Sequence, residues 1–256
     1  MTADIPRLAR LLDDAVRNAT AVAQISATEA LTLQQAYEVQ RQSIERRLAR
    51  GERRIGVAMG FTSRAKMEQM GVHDLIWGRL TNAMIVEDGS TISRKRFVHP
   101  RVEPEVAFLL RKPLSGIVTA MQARDALEAV APALEIIDSR YQNFRFSLTD
   151  VVADNSSCSG LTIGPWSSPH QPLDNLGIRV MVNGRAHSFG STAAILGDPV
   201  RSLVGAAGLV AISGEVLEAG HIVMAGGAMA AFELHVGMHV ELEVDRLGRT
   251  SFTVAE

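Results

Sequence analysis

Three carboxylates stand in segments whose neighbours point to burial. In His99-Pro-Arg-Val-Glu-Pro-Glu-Val-Ala-Phe-Leu-Leu110, Glu103 and Glu105 are two apart, and the run from Val106 to Leu110 is apolar. Side chains two apart on a strand share a face, so these two acids project side by side. Glu135 lies inside the apolar run Pro132-Ala-Leu-Glu-Ile-Ile-Asp138, and a second strand could deliver it to the first pair. Adjacent carboxylates near a core repel one another, and desolvating each costs on the order of several kcal/mol unless a cation compensates. Three carboxylates with open positions suit a hard divalent ion, Mg²⁺ or Mn²⁺, better than zinc. The competing reading makes Glu103 and Glu105 the solvent face of an edge strand, paired with Arg101 or Arg111. Glu135 among apolar neighbours shifts the balance toward a metal.

Other polar groups are less specific. Asp154-Asn-Ser-Ser157 offers either ligand-binding hydroxyls or an Asx-turn. Cys158 reads as a small packed residue, because no nearby histidine would activate it. His235 and His239 are four apart but are separated by Gly237 in a loop, which argues against zinc. Arg140 either neutralises Asp138 or binds a substrate carboxylate. Arg41, Arg46, Arg47, Arg50, Arg53 and Arg54 crowd one helix end and read as a solvated face matched to the helix dipole, with a partner surface as the alternative.

The elements that must position these groups follow from pattern. Leu8, Leu11, Leu12, Ala15, Val16 and Ala19 recur at helical spacing. Thr32 and Gln35 form a capping box ahead of a second helix with a face of Leu33, Tyr37, Ile44 and Leu48, stopped at Gly51. A strand over 53–61, a short helix over 63–70 and extended segments over 83–87 and 101–110 follow. A helix capped by Thr119 leads into a strand over 133–138. Asn183-Gly184 joins a hairpin, a helix spans about 199–211, a strand covers 222–225, and a last hairpin turns at Leu247-Gly248. Strands do not alternate regularly with helices, so the expected class is α+β rather than doubly wound α/β. We read one catalytic unit over 1–256, with a helical portion over 1–72 and a β-rich core over 73–256.

Composition narrows the function classes. Lys and Arg number 26 against 28 Asp and Glu, so no net basic field favours nucleic acid. One cysteine excludes an intrachain disulfide framework and fits a reducing, cytoplasmic compartment. Charges at Arg7, Arg10, Asp13, Asp14 and Arg17 interrupt the N-terminal apolar run, and the stretch over 200–212 is short, so no membrane partner is expected.

Several segments occur in an order that is specific in combination. They are Gly60-Phe-Thr-Ser-Arg-Ala-Lys-Met-Glu-Gln-Met-Gly-Val72, Glu103-Pro-Glu105, Pro132-Ala-Leu-Glu-Ile-Ile-Asp-Ser-Arg-Tyr141, Val152-Ala-Asp-Asn-Ser-Ser157, Gly190-Ser-Thr-Ala-Ala-Ile-Leu-Gly197 and Ile222-Val-Met-Ala-Gly-Gly227. Together, over nearly the whole chain, they resemble the hydratase/decarboxylase branch of the fumarylacetoacetate hydrolase superfamily. The resemblance implies a mixed β-sandwich roll with a helical N-terminal region, and Mg²⁺ or Mn²⁺ held by Glu103, Glu105 and Glu135. It implies substrate contacts from Ser63, Asp138, Arg140, Ser156, Gly226 and Gly227, with Glu105 and position 58 serving catalysis. The implied substrate is a small 2-oxo dicarboxylate. Decarboxylation of 4-oxalocrotonate in aromatic meta-cleavage catabolism is favoured by Tyr141 and by Gly226-Gly227, and the sister hydratase is the alternative. A homo-oligomer is implied, and association with a partner hydratase is left open.

Two departures matter. Ala58 in Gly56-Val-Ala-Met-Gly60 stands where the branch carries lysine. A methyl group neither transfers a proton nor offsets a carboxylate. Altered activity, substitution by Arg64 or Lys66, an inactivated variant, or a silent subunit would each account for it. We expect Ala58 to line the pocket and to slow turnover. The second departure is Met229, where threonine is expected.

Overall fold

The computed structural model describes residues 3–63 and 74–256, so Arg64, Lys66 and most of the helix expected over 63–70 lie outside the described residues. Helix α1 (Ile5–Asn18) is capped by Asp4, whose carboxylate accepts the Arg7 N–H at 3.1 Å. Helix α2 (Leu33–Ala49) starts on the reciprocal Thr32–Gln35 box. Its buried face is Ala36, Val39, Gln40, Ser43 and Ile44, rotated from the expected one; Leu33 is exposed. The rotation is set by Gln40, whose buried amide donates to Trp77 O at 3.1 Å and to Val152 O at 2.8 Å.

The arginine cluster on α2 is likewise not a bare solvated face. Arg46 and Arg50 converge on the fully buried Asp13 of α1, at 2.8 and 2.6 Å, and Arg47 pairs with Glu52 at 2.9 Å. The signal that α1 carried their counter-charge lay more than thirty residues upstream.

Strand β1 (Arg54–Gly60) pairs with β2 (Ile76–Thr81), a strand absent from the sequence reading. Buried Arg79 in its middle hides the strand pattern: its guanidinium reaches Gln40 at 2.5 Å and the Glu215 carboxylate. The helical portion therefore ends at Ala49, not at 72, because β1 is already an interior strand of the main sheet.

The remaining elements are β3 (Thr91–Ser93), β4 (Pro100–Leu110), α3 (Ala120–Asp125), β5 (Leu127–Asp138), α4 (Leu148–Ala153), β6 (Cys158–Ile163), β7 (Gly177–Val182), β8 (Arg185–Ser191), α5 (Pro199–Ile212), β9 (Ile222–Met224), β10 (Phe232–Glu233), β11 (His239–Val244) and β12 (Gly248–Ala255). The segment over 83–87, expected extended, begins instead as a 3₁₀ turn at Asn82–Met84. One mixed sheet runs β2-β1-β9-β4-β5-β6, with β10 also on β4; the second runs β3-β12-β11-β7-β8.

Val102, Val106, Phe108, Val130 and Leu134 of the first sheet, Leu242 and Phe252 of the second, and Leu203 and Val210 of α5 form the principal core. At about 1.5 Å per residue α5 is about 21 Å long, short of the ~30 Å a membrane span needs, and its face of Val200, Leu203, Ala206, Ala207 and Val210 is buried. Glu103, Glu105 and Ala107 of β4 and Ala133 and Glu135 of β5 lie on the opposite face, outside that core. That face carries the carboxylates.

Candidate metal centre

Register brings the acids together. Glu103 faces Glu135 directly across the antiparallel β4–β5 pair, and Glu105 faces Ala133, whose methyl group leaves room above the strand. One carboxylate oxygen from each of Glu103, Glu105 and Glu135 lies within 4.8 Å of the others. Glu105 and Glu135 are buried and Glu103 half-buried, so the edge-strand alternative does not hold: β4 is interior.

Pro104 between the two acids would interrupt a closed ladder. Here it falls in a gap between β9 and β10, where its carbonyl accepts the Ala228 N–H at 2.9 Å and the Val106 carbonyl accepts Ala225 N–H at 2.9 Å. The loop in that gap turns the Gly226 N–H onto Glu105 Oε2 at 2.8 Å. Gly226 has φ +96°, and a Cβ there would stand 2.1 Å from Thr62 Oγ1. A Gly226→Ala variant is therefore expected to lose about 2 kcal/mol or more of stability, from overpacking and left-handed strain, read as a lowered urea midpoint.

Glu105 Oε1 is buried and, among the described residues, has no hydrogen-bond partner. Burial first, then the charges of Glu135 and Glu103, push the Glu105 carboxyl well above the usual range. An oxygen donor set with an orphaned buried oxygen and mutually repelling charges fits a hard divalent cation. A pH dependence follows from the sign of the shift. A raised carboxyl pKa favours the metal-free fold at low pH, and that advantage is lost as pH rises through it; cation binding requires the ionised form. The rise in Tm caused by Mg²⁺ should thus grow from pH 5 to pH 8, as measured by thermal melts with and without the ion.

A cavity of about 100 Å³ opens beside the cluster, bounded by Glu103, Glu135, Thr62, Ser156, Ser157, Cys158 and Gly227, with Phe61, Ile76, Ile137, Phe144, Phe146 and Val151 on its apolar walls. The segment over 155–157 reaches it in three successive left-handed conformations, φ +53°, +53° and +64°. Asn155 clamps the backbone of Arg79, at 2.7 and 2.9 Å, and Ser156 Oγ donates to Trp77 O at 2.8 Å. The segment is both the pinned turn and the hydroxyl-bearing wall that its sequence had offered as alternatives.

The structure gathers Glu103, Glu105, Glu135, Ser156, Gly226 and Gly227. It does not bring Ser63, Asp138, Arg140 or Ala58 to the cavity wall. Thr62 lines the cavity in place of Ser63. Asp138 instead accepts the Val98 and His99 N–H groups at 2.9 and 2.5 Å. Arg140 is 2% exposed and locked to Asp154, Nε to Oδ1 at 2.5 Å, because the chain turns as β5 ends and carries it behind the site. Ala58 shares the carboxylate face but is buried in an apolar cluster with Ala107, Ala133, Cys158 and Met224.

Tyr141 is fully buried and donates to Asp150 O at 3.1 Å, and Met229 packs on Gly190; neither meets the cavity. Burial, then the nearby Glu135 and Glu105, push the Cys158 thiol up, in keeping with a packed thiol rather than a nucleophile. Sequence reasoning missed Thr62, Phe144 and Phe146. For Thr62 the signal was present, since it follows β1 by two residues.

Comparison with known proteins places this geometry. Residues 54–255 match the family described as fumarylacetoacetate (FAA) hydrolase C-terminal. The chain is 53% identical over 249 residues, 97% of each sequence, to a 4-oxalocrotonate decarboxylase of Pseudomonas sp.. It is 40% identical over 174 residues, 66% of this chain and 78% of the relative, to a 2-hydroxypent-2,4-dienoate hydratase of Pseudomonas putida. A solved 4-oxalocrotonate decarboxylase from Pseudomonas putida G7, complexed with magnesium and adipate, superposes with a TM-score of 0.94 at 34% identity, covering 98% of this chain and 97% of that one. With its carboxylate-bearing mixed sheet, this chain belongs to the fumarylacetoacetate hydrolase family.

Proposed function

We propose that the protein is a divalent-metal-dependent decarboxylase that converts 4-oxalocrotonate to 2-hydroxypenta-2,4-dienoate and CO₂. The observation that carries this reading is the buried triad of Glu103, Glu105 and Glu135 opening onto a small, largely apolar cavity. The decarboxylase likeness over nearly the whole chain supports it. Glu103, Glu105 and Glu135 would hold Mg²⁺ or Mn²⁺. When bound, such an ion supplies positive charge where negative charge develops on the substrate's C2 oxygen. As the C5–C6 bond breaks, its electron pair moves through C4 and C3 toward that oxygen, and CO₂ leaves.

The chain's own residues orient and shield. Gly226 N–H fixes the rotamer of Glu105. Thr62 Oγ1, buried without a hydrogen-bond partner, is placed to donate to a substrate carboxylate. The phenylalanines and isoleucines shield the cavity from water. The likeness to 4-oxalocrotonate decarboxylases over nearly the whole chain favours decarboxylation over the hydratase reading.

We infer one catalytic unit acting in the cytoplasm, in aromatic meta-cleavage catabolism, as a homo-oligomer. The test follows CO₂ and dienol while Mg²⁺ is titrated with 4-oxalocrotonate. Metal-dependent CO₂ release is expected. Hydration of supplied dienol without CO₂ release from the diacid would establish the hydratase instead, and neither reaction would leave a silent subunit with Ala58 as its cause.

A further inference from the structure

Around the end of β5, four guanidinium groups line a second cavity of about 170 Å³. Arg17 comes from α1, Arg47 from α2, Arg96 from the turn before β4, and Arg140 from the end of β5; Asp138 and Ser159 complete the part that bears on charge. Arg140 is 2% exposed and the Arg47 side chain 12%, whereas Arg17 and Arg96 stand at the mouth.

The nearby acids pair with these arginines along one edge only. Asp154 takes Arg140 Nε and its backbone N–H, Glu52 takes Arg47 Nε, and Asp14 is 3.8 Å from Arg17. Asp138 spends both oxygens on the Val98 and His99 N–H groups. Arg140 Nη1 donates to Ser159 Oγ at 2.6 Å and Nη2 to Asp154 O at 2.7 Å, which leaves one N–H on each of these nitrogens. Arg47 Nη2 donates to Thr81 Oγ1 at 3.2 Å, and among the described residues its Nη1 has no hydrogen-bond partner.

Each buried guanidinium is paired along one edge, so what the cavity offers an anion is the unspent N–H groups of Arg140 and Arg47 together with the exposed heads of Arg17 and Arg96. Burial, and in lesser measure the Arg140 guanidinium, pull the Arg47 pKa below its usual value despite Glu52. Guanidinium forks match the oxygens of phosphate and carboxylate.

We propose that this arginine-lined cavity is a binding site for a small oxyanion, a phosphate or a carboxylate, separate from the metal centre. Its position gives it a route to that centre. Ser157 and Cys158 line the metal cavity, and the next residue, Ser159, holds Arg140 in the arginine cavity. An anion drawn between Arg47 and Arg140 bears on the same β6 start that forms the catalytic wall.

The test is isothermal titration calorimetry with inorganic phosphate and, separately, succinate, on Mg²⁺-loaded and EDTA-treated protein. Saturable 1:1 binding of at least one of the two anions is expected in both metal states. Phosphate alone identifies a phosphate-type ligand and succinate alone a carboxylate. The Arg17→Ala/Arg96→Ala double variant, changed only at exposed side chains, should bind roughly tenfold more weakly. Arg47→Met should abolish binding while its thermal melt reports that it is folded. Glu135→Gln, which removes a metal-cluster carboxylate, should bind the anion as the parent does. The proposal is overturned by no saturable binding of either anion, by binding equal in the parent and both arginine variants, or by binding lost in Glu135→Gln.

Discussion

Replacing Glu105 by glutamine is expected to lower Mg²⁺ affinity by at least about 100-fold and to remove turnover with it. Losing even a residue that merely supports a metal ligand costs about 10- to 100-fold in affinity, and Glu105 is proposed as a ligand itself. The substitution keeps shape and hydrogen bonding, because the glutamine carbonyl can still accept the Gly226 N–H that now reaches Oε2 at 2.8 Å. What changes is charge. Glu105 is fully buried beside two other carboxylates, so the metal-free variant should be more stable than the parent, with a higher Tm in EDTA. The Tm rise caused by Mg²⁺ should nearly vanish. A carboxylate serving only the fold would show the opposite, a lower Tm in EDTA and an unchanged response to the ion. Unchanged Mg²⁺ affinity by calorimetry would refute the assignment.

Arg140→Met is expected to cost about 3–5 kcal/mol of stability, the range for removing one partner of a buried ion pair. Asp154 is 2% exposed, and both of its carboxylate oxygens accept from Arg140, at 2.5 and 2.9 Å. Methionine fills much of the volume and keeps the backbone N–H bond to Oδ2, but it leaves Oδ1 without its donor and the carboxylate without its cation in the interior. The drop should appear as a lowered urea midpoint with an unchanged m-value. Adding Asp154→Asn to the same chain should recover part of it, since the orphaned charge is then gone. Were Arg140 a substrate-carboxylate ligand, as the sequence suggested, the same variant would raise KM and leave the urea midpoint in place.

The Arg140 case shows where sequence reasoning ran short. Local chemistry was legible: the Thr32–Gln35 and Thr119–Gln122 boxes, the Asn183-Gly184 hairpin and the strands carrying Glu103, Glu105 and Glu135 all occur where spacing put them. These depend on contacts within a few residues or on a period of two. Strand β2 was not legible, because buried Arg79 breaks its pattern and is balanced by Glu215, 136 residues away. Nor could the orientation of α2 be read. Polar Gln40 sits inward to satisfy two distant carbonyls, and the apparent stripe of Leu33 and Leu48 loses to it.

The sequence by itself determined that three acids fall in or beside apolar runs and marked them as candidates to hold a cation, because burial of uncompensated like charge is costly wherever those runs pack. Only the tertiary structure decided which other groups share that cavity. The β4–β5 register sets Glu103 opposite Glu135 and a methyl group opposite Glu105, and the break between β9 and β10 admits Gly226. The same geometry puts Asp138 and Arg140 on a different cavity and packs Ala58 into an apolar cluster. A strand's period says which side chains share a face. Which residues meet across that face depends on pairing partners far away in the chain.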